Sequence, residues 1–180
     1  LGRRVVVVVT NEDQLGEDFN GDGIIDEAPI PGLYHVETGE VTYLRLPRLQ
    51  RYFYDEAWVR VGGNRLVLMT AERPEIAYYD LDTGTLTYTP VRGVLPVIAG
   101  DVIAYVSEVG TLATFNVVTG ESIDTGERLG VHEYPTDLEL SISGPWISFR
   151  NDERHIGRDL NGDGQLATAL GVYNSERREL

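Results

Sequence analysis

The chain has 180 residues, 42% of them apolar, with 29 acids against 15 basic residues, a net charge of −14 and no cysteine. That length suits one sizeable core, and no apolar run approaches the roughly 20 residues of a membrane-spanning helix. The acidity excludes nucleic acid as a partner, because a phosphate backbone needs a basic surface, and zero Cys excludes disulfides, thiolate chemistry and Cys-type zinc sites.

The first predicted element is an apolar strand, Arg3–Val9, after Gly2, running into Asn11-Glu12-Asp13. A run of oxygen-bearing residues follows, Asp18-Phe19-Asn20-Gly21-Asp22-Gly23-Ile24-Ile25-Asp26. Calcium takes 6–8 oxygen ligands, and acids or amides at every second position before a glycine turn wrap one short loop around a point. Asp18, Asn20 and Asp22 are read as side-chain ligands, Ile24 as a carbonyl ligand and Asp26 as a direct or water-mediated one. The loop departs from an EF-hand, since Pro29 stands at the twelfth position and no helical pattern flanks it. A second strand then ends at Tyr34-His35, a Thr38-Gly39 turn follows, and a third strand covers Glu40–Leu46. Arg45, Arg48 and Arg51 with Tyr52-Phe53-Tyr54 form either a polysaccharide- or protein-binding strip or, preferably, an exposed strand and linker.

The same order recurs three times. Gly63, Gly100 and Gly144 precede the apolar strands Arg65–Met69, Val102–Val106 and Trp146–Phe149. Second strands end at Tyr79-Asp80, Phe115-Asn116 and Tyr173-Asn174, with Thr-Gly turns at Thr83-Gly84 and Thr119-Gly120 and a drifted Ser175-Glu176-Arg177. Further strands are Thr85–Pro90, Glu121–Asp124 and a stub at Arg178–Leu180; a leading strand stands at Ala57–Val61, Leu95–Ala99 and Leu138–Ser143. The fourth repeat carries the loop words again, Asp159-Leu160-Asn161-Gly162-Asp163-Gly164-Gln165, with Leu170 at the twelfth position. There Asp159, Asn161, Asp163 and Gln165 are the candidate ligands, and Ala167 stands at the spacing of Asp26. From glycine to aromatic takes 16 residues in the second repeat and 15 in the third, but 32 in the first and 29 in the fourth. The excess is the loop, inserted in the same hairpin both times. One or two Ca²⁺ ions are expected, and the alternative for either loop is an Asn/Gly turn held by its own hydrogen bonds.

Four strands per repeat, with first strands such as Val5–Val9 apolar enough to be covered on both faces, predict an all-β chain. The fold expected is a β-propeller of four-stranded antiparallel blades, the first and last incomplete, within one domain 1–180 (repeats 1–55, 56–93, 94–135 and 136–180). A β-sandwich is the fallback. The open first blade suggests either a piece of a longer propeller or a neighbouring chain adding a strand, which could build a head-to-tail filament.

The pattern strand–acid–(Asp18, Asn20, Asp22, Asp26 loop)–strand–aromatic, with its Tyr79-Asp80-Leu81-Asp82-Thr83-Gly84 turn, resembles the TolB-type, WD-like propeller repeats of bacterial and archaeal secreted proteins. Some of those carry dockerin-like calcium loops in this hairpin. The resemblance implies a calcium-stabilised module that scaffolds, adheres or binds other protein chains, with polysaccharide as a further partner. The expected setting is extracellular, cell-surface or periplasmic. No catalytic motif is visible. His35 is read as a turn-stabilising residue, His132 as exposed, and His155 as close to the second loop. Arg60 and Glu139 are the charges on the leading strands. A propeller hydrolase or lyase acting on polysaccharide is the alternative from another class.

Overall fold

The computed structural model describes residues 5–52, 56–57, 59–129, 140–160 and 162–179. Readings made on Phe53, Tyr54, Trp58, His132, Glu139 and Asn161 lie outside the described residues, as do the side chains of Arg51, Tyr52 and His155. The contacts divide the chain into two compact units, Leu1–Thr89 and Pro90–Leu180.

The first unit opens with the meander β1 (Val5–Asn11), β2 (Pro29–His35) and β3 (Val41–Tyr43), with a single-turn helix α1 (Glu12–Leu15) between β1 and β2. A short ladder pairs β4 (Arg51–Tyr52) with β5 (Glu56–Ala57). The second repeat follows as β6 (Val59–Gly62), β7 (Arg65–Met69), β8 (Glu75–Asp80) and the start of β9 (Thr85–Ala99). Leu33, Leu44, Leu46 and Leu49 of the first repeat pack with Val59, Leu66, Leu68 and Ala77 of the second, which buries one apolar cluster.

The second unit takes the later part of β9 with β10 (Val102–Ser107), β11 (Thr111–Asn116) and β12 (Ser122–Arg128). It closes with β13 (Leu140–Ser143), β14 (Trp146–Asp152), a second single-turn helix α2 (Glu153–Ile156) and β15 (Thr168–Asn174). All the pairings described are antiparallel. Each repeat is therefore an up-and-down meander in sequence order, as the strand grammar predicts.

Three features differ from the sequence reading. Thr85–Pro90 and Leu95–Ala99 are one 15-residue strand, which passes through a left-handed Leu95 (φ 56) where its pairing with β10 shifts register, the mark of a bulge. Gly93 meets β10 so closely that an added Cβ would lie 2.2 Å from the Val106 carbonyl oxygen. Next, β7 and β10 are buried on both faces, but β1 is not: Val6 and Val9 are 51% and 46% exposed. Hydrophobic continuity alone does not say which strand is covered. Finally, single helical turns stand at Glu12–Leu15 and Glu153–Ile156, although the sequence shows no helical pattern beside the first loop.

The turns share one geometry. In each repeat the residue after the aromatic accepts, through its carbonyl, the N–H four residues on: Gly39 to His35, Gly84 to Asp80, Gly120 to Asn116 and Arg178 to Asn174, all at 2.8–2.9 Å. Asp80, Asn116 and Asn174 add a side-chain oxygen that takes the two N–H groups between. Hydrogen bonding from the Thr83 N–H, helped by Asp82, the Thr83 hydroxyl and nearby Arg65, holds the Asp80 carboxyl below the usual carboxylate range. The fourth turn drifted in sequence but not in shape: Arg178 accepts the left-handed backbone (φ 57) that glycine adopts in the other three. His35 instead reaches across the hairpin to the Thr42 hydroxyl, 3.1 Å away.

In the last blade Phe149 lies across Gly171, its cross-strand partner, and a Cβ built on Gly171 would fall 2.2 Å from the ring. Gly171→Ala therefore overpacks a buried site and is expected to lower the unfolding free energy by about 1–3 kcal/mol, read from urea denaturation of the two proteins.

Candidate metal centres

Both loops are built on a buried glutamate. Glu12 and Glu153 begin α1 and α2, each 0% exposed, and each stands six residues before the first aspartate of its loop. Glu12 Oε1 accepts the N–H groups of Phe19 and Asn20, both at 2.8 Å. Glu153 Oε1 accepts the N–H of Leu160 at 2.6 Å. A carboxylate is an acceptor-only group, and buried in an apolar hairpin it requires such donors. The start of each loop provides them, so the helical turn exists to bring the glutamate under the loop.

Above this anchor the predicted ligands form a ladder of local bonds. Asp18 accepts from Gly21 N (2.6 Å) and Gly23 N (2.9 Å), Asn20 from Asp22 N (2.8 Å) and Asp22 from Ile24 N (2.9 Å). In the second loop Asp159 accepts from Gly162 N (2.6 Å) and Gly164 N (2.8 Å), and Asp163 from Gln165 N (2.8 Å). Ile24 and Gln165 hold equivalent exposed positions. Among the described residues the two loops share the bonds that their aspartates accept from the main chain.

Beyond it they diverge. The pair Asn11–Pro29 closes the first hairpin and Asp152–Thr168 the other, leaving 17 residues (12–28) and 15 residues (153–167) between. Strand register therefore matches Ala167 with Ala28, not with Asp26 as motif spacing suggests, and Asp26 belongs to a two-residue insertion. The consequence lies in who holds the last N–H of the loop. Ala167 N donates to Glu153 Oε2 at 2.9 Å. Ala28 N donates to Asp26 Oδ1 at 2.6 Å, which leaves Glu12 Oε2 buried with no partner. The Asn20 amide nitrogen is likewise buried and unpartnered.

Two of the three arginines read as a binding strip or an exposed strand and linker, Arg45 and Arg48, are attached to the first loop. Arg45 bonds Glu17 and, at 3.3 Å, the Asp18 carbonyl, and its guanidinium lies 5.0 Å from the centre of the Phe19 ring. Arg48 sits 3.0 Å from Asp26 and 3.6 Å from Asp22. Sequence reasoning missed both glutamates and both arginines. The signal for the glutamates was present, as the same residue at the same spacing before each loop; for the arginines there was none.

The donor set consists of oxygens alone and suits a hard cation such as Ca²⁺, and the orphaned Glu12 oxygen is a buried acceptor without a donor. Among the described residues, no three His, Cys, Asp or Glu side chains already converge on a common point; amide and main-chain oxygens would have to complete the shell.

No protein-family model and no curated protein matches the sequence. Among solved structures, 99% of the chain aligns with 18% of the tricorn protease chain at 19% identity and a TM-score of 0.54. AztD from Citrobacter koseri aligns with 84% of this chain over 41% of its own, at 13% identity and a TM-score of 0.48. BamB from Moraxella catarrhalis aligns with 84% of this chain over 50% of its own, at 17% identity and a TM-score of 0.41. The chain thus spans half or less of each. All three are propeller proteins, and the tricorn alignment, with the repeated antiparallel meanders, defines the fold as a β-propeller type.

Removing the Glu153 carboxylate strands two N–H groups. Glu153→Ala is expected to cost on the order of 3 kcal/mol, two charge-assisted bonds at about 1.5 kcal/mol each. Urea denaturation in chelator, where no ion contributes, should return this loss.

Proposed function

We propose that this chain is a calcium-stabilised β-propeller module with a structural or interaction role, working outside the cytoplasm. The observation that carries the reading is the pair of D-x-N-x-D-G loops inserted in the same hairpin of two repeats, each anchored on a buried glutamate. Calcium acts here as a folding ligand, holding a long hairpin insertion that has little apolar surface of its own. Loops of this kind span affinities up to the millimolar range, which suits calcium levels outside the cell better than those of the cytosol. Exposed Trp146, Leu170 and Val172, which the β14–β15 register places on one face of the last blade, supply apolar surface for a protein partner.

No helix of the described residues is long and apolar enough to cross a membrane. Self-association by strand addition is a second reading. In its sheet β1 has a single neighbour, β2, so its other edge presents unpaired backbone groups among the described residues, and such an edge accepts an added strand.

An ion bound at 100 times its dissociation constant adds about 2.7 kcal/mol. The melting temperature should therefore rise by several degrees in millimolar calcium and fall back in excess chelator; identical melts in the two conditions would contradict the calcium reading. Light scattering at micromolar concentration addresses strand addition: a mass that grows with concentration supports it, and a strict monomer rules it out.

A further inference from the structure

We propose that the first loop alone forms a tight divalent-cation site, that Glu12 Oε2 is one of its ligand oxygens, and that the second loop closes without an ion. The inference rests on the calcium reading above and narrows it from two equivalent loops to one.

The two hairpins are an internal control for each other. They share the buried glutamate, its anchoring bond to the N–H after the first aspartate, and the main-chain bonds accepted by the two aspartates of each loop. In the second, Glu153 Oε1 takes Leu160 N and Oε2 takes Ala167 N, so both carboxylate oxygens have a donor from the protein. In the first, the insertion that carries Asp26 takes over the equivalent N–H, and Glu12 Oε2 is left buried without one. A buried carboxylate oxygen with no donor costs free energy unless something positive or hydrogen-bonding reaches it.

The same insertion raises the local negative charge. Counted over the candidate ligands and the anchoring glutamate alone, Glu12, Asp18, Asp22 and Asp26 give the first loop four acids, against Glu153, Asp159 and Asp163 in the second. Affinity of such loops rises with the number of charged ligands. Glu12 is bonded through Oε1 to the N–H groups of Phe19 and Asn20, which fixes its carboxylate next to the main chain of the expected ligands Asp18 and Asn20. The Arg48 guanidinium, on Asp22 and Asp26, supplies one positive charge. It does not bond the Glu12 oxygen, which has no partner at all. The ion class is a hard divalent cation of calcium size, since every donor is oxygen.

The test is calorimetric titration of the chelator-treated chain with Ca²⁺, beside the variants Glu12→Gln and Glu153→Gln. One tight ion per chain is expected for the parent. Glu12→Gln keeps an oxygen for Phe19 and Asn20 but replaces a charged ligand, and should weaken binding roughly tenfold or more; Glu153→Gln should leave affinity and stoichiometry in place while lowering the melting temperature. A second variant guards against a Glu12→Gln chain that fails to fold. Deleting Ile25 and Asp26 gives the first loop the length of the second, offers Ala28 N to Glu12, and should abolish the tight site without lowering the melting temperature in chelator. Tyr43, whose ring lies 5.7 Å from that of Phe19, provides an independent signal: terbium emission sensitised by tyrosine should follow the first loop and be displaced by Ca²⁺. Two ions of similar affinity, or calcium binding untouched by Glu12→Gln and by the deletion, would overturn the inference and leave the calcium reading standing. A parent chain that binds no calcium would overturn both.

Discussion

The structure of the two long hairpins depends on one interaction, a buried glutamate carboxylate that accepts the main-chain N–H groups at the start of its own loop. Without donors a buried carboxylate is costly, and without an anchor a long insertion with little apolar surface has no reason to adopt one shape. Each requirement answers the other. Glu12 and Glu153 sit at the first position of single-turn helices that end in left-handed Gly16 and Gly157. The chain needs that turn to point the glutamate back under the loop, which is why a helical turn interrupts an otherwise all-strand hairpin.

The metal question follows from how the same device is completed. In the fourth repeat the glutamate spans the loop, binding the N–H at both ends. In the first, Asp26 intervenes, two arginines attach the loop to the segment after β3, and one glutamate oxygen is left over. Two loops that look alike by motif thus differ in what they still require. Electrostatics decides this more than composition does, since the difference is one acceptor and one acid at the base of the hairpin.

Much of the architecture was legible in the sequence because it is written four times. The glycine before each apolar strand, the aromatic that ends the next, and the oxygen-bearing residue after it mark places where the backbone must turn or hydrogen-bond locally, and such needs are short-range. The position of the loops within the hairpin could be counted. What could not be counted was register. Motif spacing sets Ala167 against Asp26, whereas the strand pairing sets it against Ala28, and pairing is a property of two strands rather than of one stretch. The roles of Arg45 and Arg48 were hidden for the same reason: 27 residues separate Arg45 from the Asp18 carbonyl it bonds. Val5–Val9 misled because an apolar run reports a preference for cover, while the cover has to come from other elements.

Amide hydrogen exchange at single residues addresses the buried anchor directly. If the glutamates hold the loops, the N–H groups of Phe19, Asn20, Leu160 and Ala167 should exchange in chelator as slowly as those of neighbouring strands β2 and β15, although they lie in hairpin insertions. Exchange at the rates of the exposed loop residues Ile25 and Leu166 would mean that the carboxylates do not hold the loops and that this explanation of their shape is wrong.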